Sequence, residues 1–118
     1  MSNRGTATLV FGARVKRKAA ERALPRAWAA VLPGEMPAGA SLYDLCAAAD
    51  LGRCARGHAD SDSLVVGYVI ARAHAYSVDV AEVASLDVPD DARAKVARLL
   101  AALGITDTPR VLLVAGSE

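Results

Sequence analysis

Apolar periodicity changes once between residues 6 and 32, and the change falls at Lys16–Arg17. Over 6–16 the chain alternates. Ala7, Leu9, Phe11, Ala13 and Val15 take one face, and Thr8, Val10, Gly12, Arg14 and Lys16 take the other. A period of two with β-forming residues predicts a strand with one buried face. Over 17–32 the period becomes 3.6. Ala20, Ala23, Leu24, Ala27, Trp28 and Val31 form one stripe, with Lys18, Arg22 and Arg26 opposite. A strand that runs straight into a helix commits the chain to a fold in which helices lie on a sheet. Pro25 lies inside the helical pattern and predicts either a split or a kink with the ring on the solvent side.

Later segments repeat the mixture. Residues 33–40 hold two Pro and two Gly and read as a loop. A second helix is expected over 42–51, with Ser41 as N-cap, Asp44 completing a capping-box pattern and Gly52 in the left-handed position at its end. Residues 53–63 are polar and turn-like, and 64–75 are apolar on both faces for most of their length, as in a central strand. Residues 78–86 fit a weaker strand or a short helix. The segment 89–103 is the clearest helix, with Pro89 at the first position, Asp90 and Asp91 at the positive end of the dipole, and Gly104–Ile105 as a Schellman ending. Residues 110–115 close the chain as a strand. The order β-α-α-β-(β)-α-β predicts an α+β fold: a small antiparallel or mixed sheet of three to four strands with helices on one face, close to the ferredoxin-like plan.

At 118 residues the chain is expected to be a single domain, 1–118, with residues 1–5 and 116–118 frayed. It is 53% apolar, but much of that is alanine, and only five residues are aromatic. Its core must therefore come from close backbone approach plus a limited set of Leu, Val and Ile. No apolar run approaches the roughly 20 residues of a spanning helix, and no signal-peptide layout opens the chain, so a cytoplasmic protein without membrane contact is expected. There the two cysteines are expected as thiols.

Cys46, Cys54 and His58 are spaced C-x7-C-x3-H, with Asp60, Asp62 and His74 as further donors. Structural zinc sites present tighter pairs, so no metal and no cofactor is expected. The loop His58–Ser63 holds His, Asp and Ser together, but catalytic groups normally converge from separate segments, and no nucleophile-elbow, zinc-protease or phosphate-loop motif occurs. No catalytic residue is assigned; a small enzyme using this loop is the second alternative.

Two surfaces remain. Tyr68, Arg72, His74 and Tyr76 alternate and are expected to share one strand face, a surface suited to interface anchors. Charge supplies the other. Residues 1–32 hold seven Lys/Arg against one acid, whereas 33–118 hold seven against twelve. Arg14, Lys16, Arg17, Lys18, Arg22 and Arg26 concentrate this imbalance, with like charges at helical i, i+4 spacing and cations at a helix N-terminus, both locally unfavourable. The patch is expected either to meet an acidic partner or to be answered by Asp79, Glu82, Asp87, Asp90 and Asp91 of the same chain. The reading is a non-enzymatic interaction module that binds another protein or itself, with nucleic-acid binding through 14–26 as the alternative. A short, motif-poor α+β chain of this kind is similar to accessory and inhibitor proteins of bacteria and their phages, many of which bind and block a larger target. No particular residues carry that likeness.

Overall fold

The computed structural model describes residues 5–51, 55–56, 63–75, 83 and 86–117. They form β1 (Gly5–Lys16), α1 (Arg17–Val31), α2 (Leu42–Ala48), β2 (Ala55–Arg56), β3 (Ser63–Ala75), α3 (Asp90–Ala102) and β4 (Arg110–Ser117). The fold is α+β. Its sheet has the order β2-β3-β1-β4, with every neighbouring pair antiparallel. β1 is the strand shared by both long ladders. It pairs with β3 from Gly5↔Ala75 to Lys16↔Ser63 and with β4 from Gly5↔Ser117 to Gly12↔Arg110.

The ferredoxin-like plan is matched only in part. Helices lie on one side, and β3-α3-β4 is a split βαβ unit with β1 between its two parallel strands. β2, antiparallel to β3, runs parallel to β1 with β3 between them, so α1 and α2 cross over in a second such unit, but its closing strand is only two residues long and precedes β3, where the expected weak strand followed it. Apart from exposed Val83 and Leu86, the segment 78–86 lies outside the described residues. The two-residue β2 falls where a turn is expected, since two residues are too short to show a period.

Periodicity sets the layers. Phe11, Ala13 and Val15 of β1 join Leu64 and Val66 of β3 and the apolar stripes of all three helices in one core. α1 keeps its stripe of Ala20, Ala23, Leu24, Ala27 and Trp28 through Pro25, which is exposed inside one unbroken helix. Alanine on this face lets the helix lie close to the sheet.

Helix ends follow their local chemistry. Ser41 and Asp44 form the reciprocal capping box: Ser41 N–H donates to Asp44 Oδ2 at 2.9 Å, and Asp44 N–H donates to Ser41 Oγ at 3.3 Å. α3 begins one position later than expected. Pro89 is its N-cap and not its first helical residue, and its carbonyl accepts from Arg93 N–H at 2.9 Å. α3 ends in the Schellman pattern, with Gly104 at φ +78, Ile105 N–H donating to Leu100 O at 2.8 Å, and Ile105 folded back onto the core.

α2 ends differently from expectation. Asp50 takes the left-handed conformation (φ +59), and Leu51 N–H donates to Cys46 O at 2.9 Å; Gly52 lies outside the described residues. The helix stops at Ala48 because buried Leu51 is the apolar residue that packs back. An aspartate at this φ carries a steric cost that glycine escapes. Asp50→Gly is therefore expected to stabilise the protein by about 1 kcal/mol, read as a higher urea midpoint with an unchanged slope.

Candidate functional site

Six cations were expected to act together, and the structure divides them. Arg14 and Lys16 occupy the even positions of β1, facing away from the helices. Lys16 is also the N-cap of α1; it offers no side-chain cap, and the first turn holds no acid. Arg17, Lys18 and Arg22 continue around that corner onto the solvent side of α1. All five are exposed. Glu21 stands among them, lining a shallow depression with Lys18 and Arg22.

Arg26 belongs to the fold. Its Nε donates to the carbonyl of Ala102 at 3.0 Å, at the C-terminal end of α3. A cation there satisfies an orphan carbonyl and opposes the negative end of the dipole. An intramolecular answer therefore exists for Arg26 at a helix end; of the acids expected to meet the patch, Asp79 and Glu82 lie outside the described residues. Asp90 and Asp91 open α3, about 18 Å along the helix from Ala102 at 1.5 Å per residue. α3 supplies two further cations that close backbone groups. Lys95 Nζ donates to Ala49 O at 3.1 Å, at the end of α2. Arg93 donates from Nε to Val88 O at 3.3 Å and lays its guanidinium over the Phe11 ring, 4.9 Å from the centroid.

The second expected surface is broken by a β-bulge. Val10 pairs with Val69 and Leu9 with Ala71, so Ile70 is an extra residue and the parity of β3 changes there. Tyr68 consequently lies on the helix side, packed against the main core. Arg72 pairs with Thr8 on the opposite face, where its Nε donates to Thr8 Oγ1 at 3.3 Å. His74 stands at the register position of Thr6, and Tyr76 lies outside the described residues. The expectation of one shared face is corrected for Tyr68 and Arg72, which lie on opposite faces.

The bulge brings Arg72 to the face that already carries Arg14. Sheet order adds a residue that sequence reading did not select: Arg110, exposed and paired with Gly12, one step diagonally from Arg14. The alternation Arg110–Leu112–Val114 was its only sequence signal. Between these cations lies a small apolar cluster of Val10 and Val65, with Val69, Leu112 and Val114 packed beside it. No helix residue belongs to that cluster among the described residues. The four strands together hold Arg14, Lys16, Arg56, Arg72 and Arg110 and no Asp or Glu.

Cys46 is fully buried on the apolar face of α2, where it fills core volume. Cys54, His58 and the rest of the 58–62 loop lie outside the described residues, and no metal-ligand cluster occurs among those described. One cleft of about 510 Å³ lies between α1 and the start of α2, with Arg17, Glu21, Met36 and Tyr43 among its lining residues. Among the described residues its wall carries no constellation of base, nucleophile and orienting group.

No family model, curated protein or solved structure matches this chain. No described helix is long and apolar enough to cross a membrane. What the geometry presents is a basic second face of the sheet, continuous through Lys16 with the basic start of α1.

Proposed function

We propose that the protein is a non-enzymatic interaction module that binds an acidic partner protein through the second face of its sheet and the adjoining first turns of α1. One observation carries this reading: exposed Arg14, Lys16 and Arg110 stand around the Val10–Val65 cluster on strands that contain no acid. A rim of one sign of charge steers encounter with a protein of the opposite sign, and the half-buried Val69, Leu112 and Val114 beside the buried Val10 and Val65 supply apolar area for it to cover. Nucleic acid fits less well, because single-strand binding uses aromatic platforms. Among the described aromatic residues, Phe11 and Trp28 belong to the helix-side core, and Tyr43 and Tyr68 pack against it.

Capture of partners from nuclease-treated lysate of the producing cells, with wild-type protein and an Arg14→Glu/Lys16→Glu variant as baits, tests the reading. Both positions are exposed, so the variant keeps its stability to within about 0.5 kcal/mol. The expected result is an acidic protein retained by the wild type and released by salt. Its affinity falls about tenfold or more in the variant. A partner that survives the charge reversal, or one that nuclease removes, would refute the proposal.

A further inference from the structure

The α1 wall of the cleft between α1 and the start of α2 carries polar groups that the fold leaves unengaged. Arg17 and Glu21 line it one helical turn apart, about 6 Å along the axis at 1.5 Å per residue. Arg before Glu is the weaker order for a pair at i, i+4, and among the described residues neither side chain makes a hydrogen bond or ion pair. Pro25 lies one turn further along the same wall. Proline has no N–H, so the Glu21 carbonyl, four residues earlier in an unbroken helix, lacks its helical donor. The wall therefore offers a cation at Arg17 and two acceptors, a carboxylate and a carbonyl, at Glu21. Arg17 also opens α1, whose positive end has no side-chain cap and no acid in its first turn. Across the cleft the Ser41 hydroxyl is engaged with Asp44 in the capping box. The rest of the lining is largely apolar, with Leu24 and Leu64 buried and Met36 half-buried.

An occupant that answers this lining carries an anionic group, a cationic donor and an apolar part. A simple anion would be repelled by Glu21, and a simple cation by Arg17. The two charges must also lie close together, because the groups that meet them are a single turn apart. An α-amino acid with an apolar side chain carries all three on one carbon, and its ammonium has three N–H donors for the two acceptors at Glu21. A cleft of about 510 Å³ has room for it, within the roughly 300–1,000 Å³ of small-molecule sites. We infer that this cleft binds a free apolar α-amino acid, with its carboxylate at Arg17, its ammonium at Glu21 and its side chain against Leu24, Met36 and Leu64. This goes beyond the acidic-partner reading. The two sites adjoin at Arg17, which both use, so the tests fall on Glu21 and Pro25, whose replacement removes no cation from the partner surface.

Isothermal titration of the purified full chain with L-leucine and L-phenylalanine tests the inference. The same two skeletons without the ammonium, and without the carboxylate, serve as probes of each charge. At least one amino acid is expected to bind at millimolar concentration or below, and its one-charge analogues about tenfold more weakly. Glu21→Gln is expected to weaken the amino acid about tenfold. Pro25→Ala returns a helical donor to the Glu21 carbonyl. It is expected to favour the helix, read as a higher urea midpoint, yet to weaken binding about threefold. Failure of both amino acids to bind overturns the proposal, as do analogues that bind equally well or a Glu21→Gln variant of unchanged affinity. Unchanged affinity in Pro25→Ala overturns the part given to the carbonyl. Glu21→Gln and Pro25→Ala still capture the acidic partner, and Arg14→Glu/Lys16→Glu still binds the amino acid, so either reading can fail without the other.

Discussion

Alanine at Gly12 is expected to lower the unfolding free energy by about 3 kcal/mol, the upper end of what overpacking usually costs. Gly12 and Gly67 face each other across the β1–β3 ladder. A Cβ on Gly12 would overlap the carbonyl oxygen of Val66 and stand 2.8 Å from the Gly67 Cα. A Cβ on Gly67 would overlap the carbonyl oxygen of Phe11 and stand 2.7 Å from the Gly12 Cα. Every obstructing atom is backbone, so no side chain can swing aside. Relief requires the strands to part at the middle of the longest ladder in the protein. Gly67→Ala is expected to cost a similar amount. The double variant should cost less than the sum, because the first alanine opens the gap that the second needs. Urea unfolding of the three variants measures this directly, and full additivity would show that the two glycines do not share one obstruction.

Leu99→Ala is expected to cost about 4 kcal/mol, toward the top of the range for buried leucine. Leu99 has no solvent exposure and lies in a core whose lining includes Ala13, Ala20, Ala23, Ala27, Ala49 and Ala92. The cost of such a truncation depends on how far neighbours collapse into the space. Alanine has no rotamer to change, so relaxation must come from helix movement, which the Arg26 and Lys95 contacts to helix ends oppose. The melting temperature should fall by more than about 10 °C, at a few degrees per kcal/mol for a chain of this size. Leu113→Ala is the same chemical change at a 69% exposed site and should move stability by no more than about 0.5 kcal/mol.

Elements whose own residues carry the signal were legible in the sequence. The switch of period at Lys16–Arg17 marks the end of β1 and the start of α1 to the residue, and the Asp90–Asp91 opening and Gly104–Ile105 ending bracket α3. What escaped depended on partners distant in sequence. The bulge at Ile70 exists because β3 must stay paired with β1 at both ends while accommodating one extra residue, and no local pattern announces it. It alone separated Tyr68 from Arg72. Asp50 was missed because Gly52 is the better intrinsic candidate, yet the position was decided by which residue could bury Leu51. The basic patch was visible as composition. Its division into Arg26, spent on the end of α3, and the exposed remainder was not, because a carbonyl partner leaves no trace among charged residues. Arg110 joined the face only through strand order, which pairs the last strand with the first.

That pairing also bears on how the protein is made. β1 is synthesised first yet needs β4, which emerges roughly 94 residues later, to cover its second edge. At a translation rate of about 5–20 residues per second, that interval lasts on the order of 5–20 seconds. For that time β1 is a nascent strand with an unsatisfied ladder, held at most by β3. Contacts that join the two ends of a chain are the slowest to form. The second edge of β1 is therefore covered only when β4 docks, late in the synthesis of this fold.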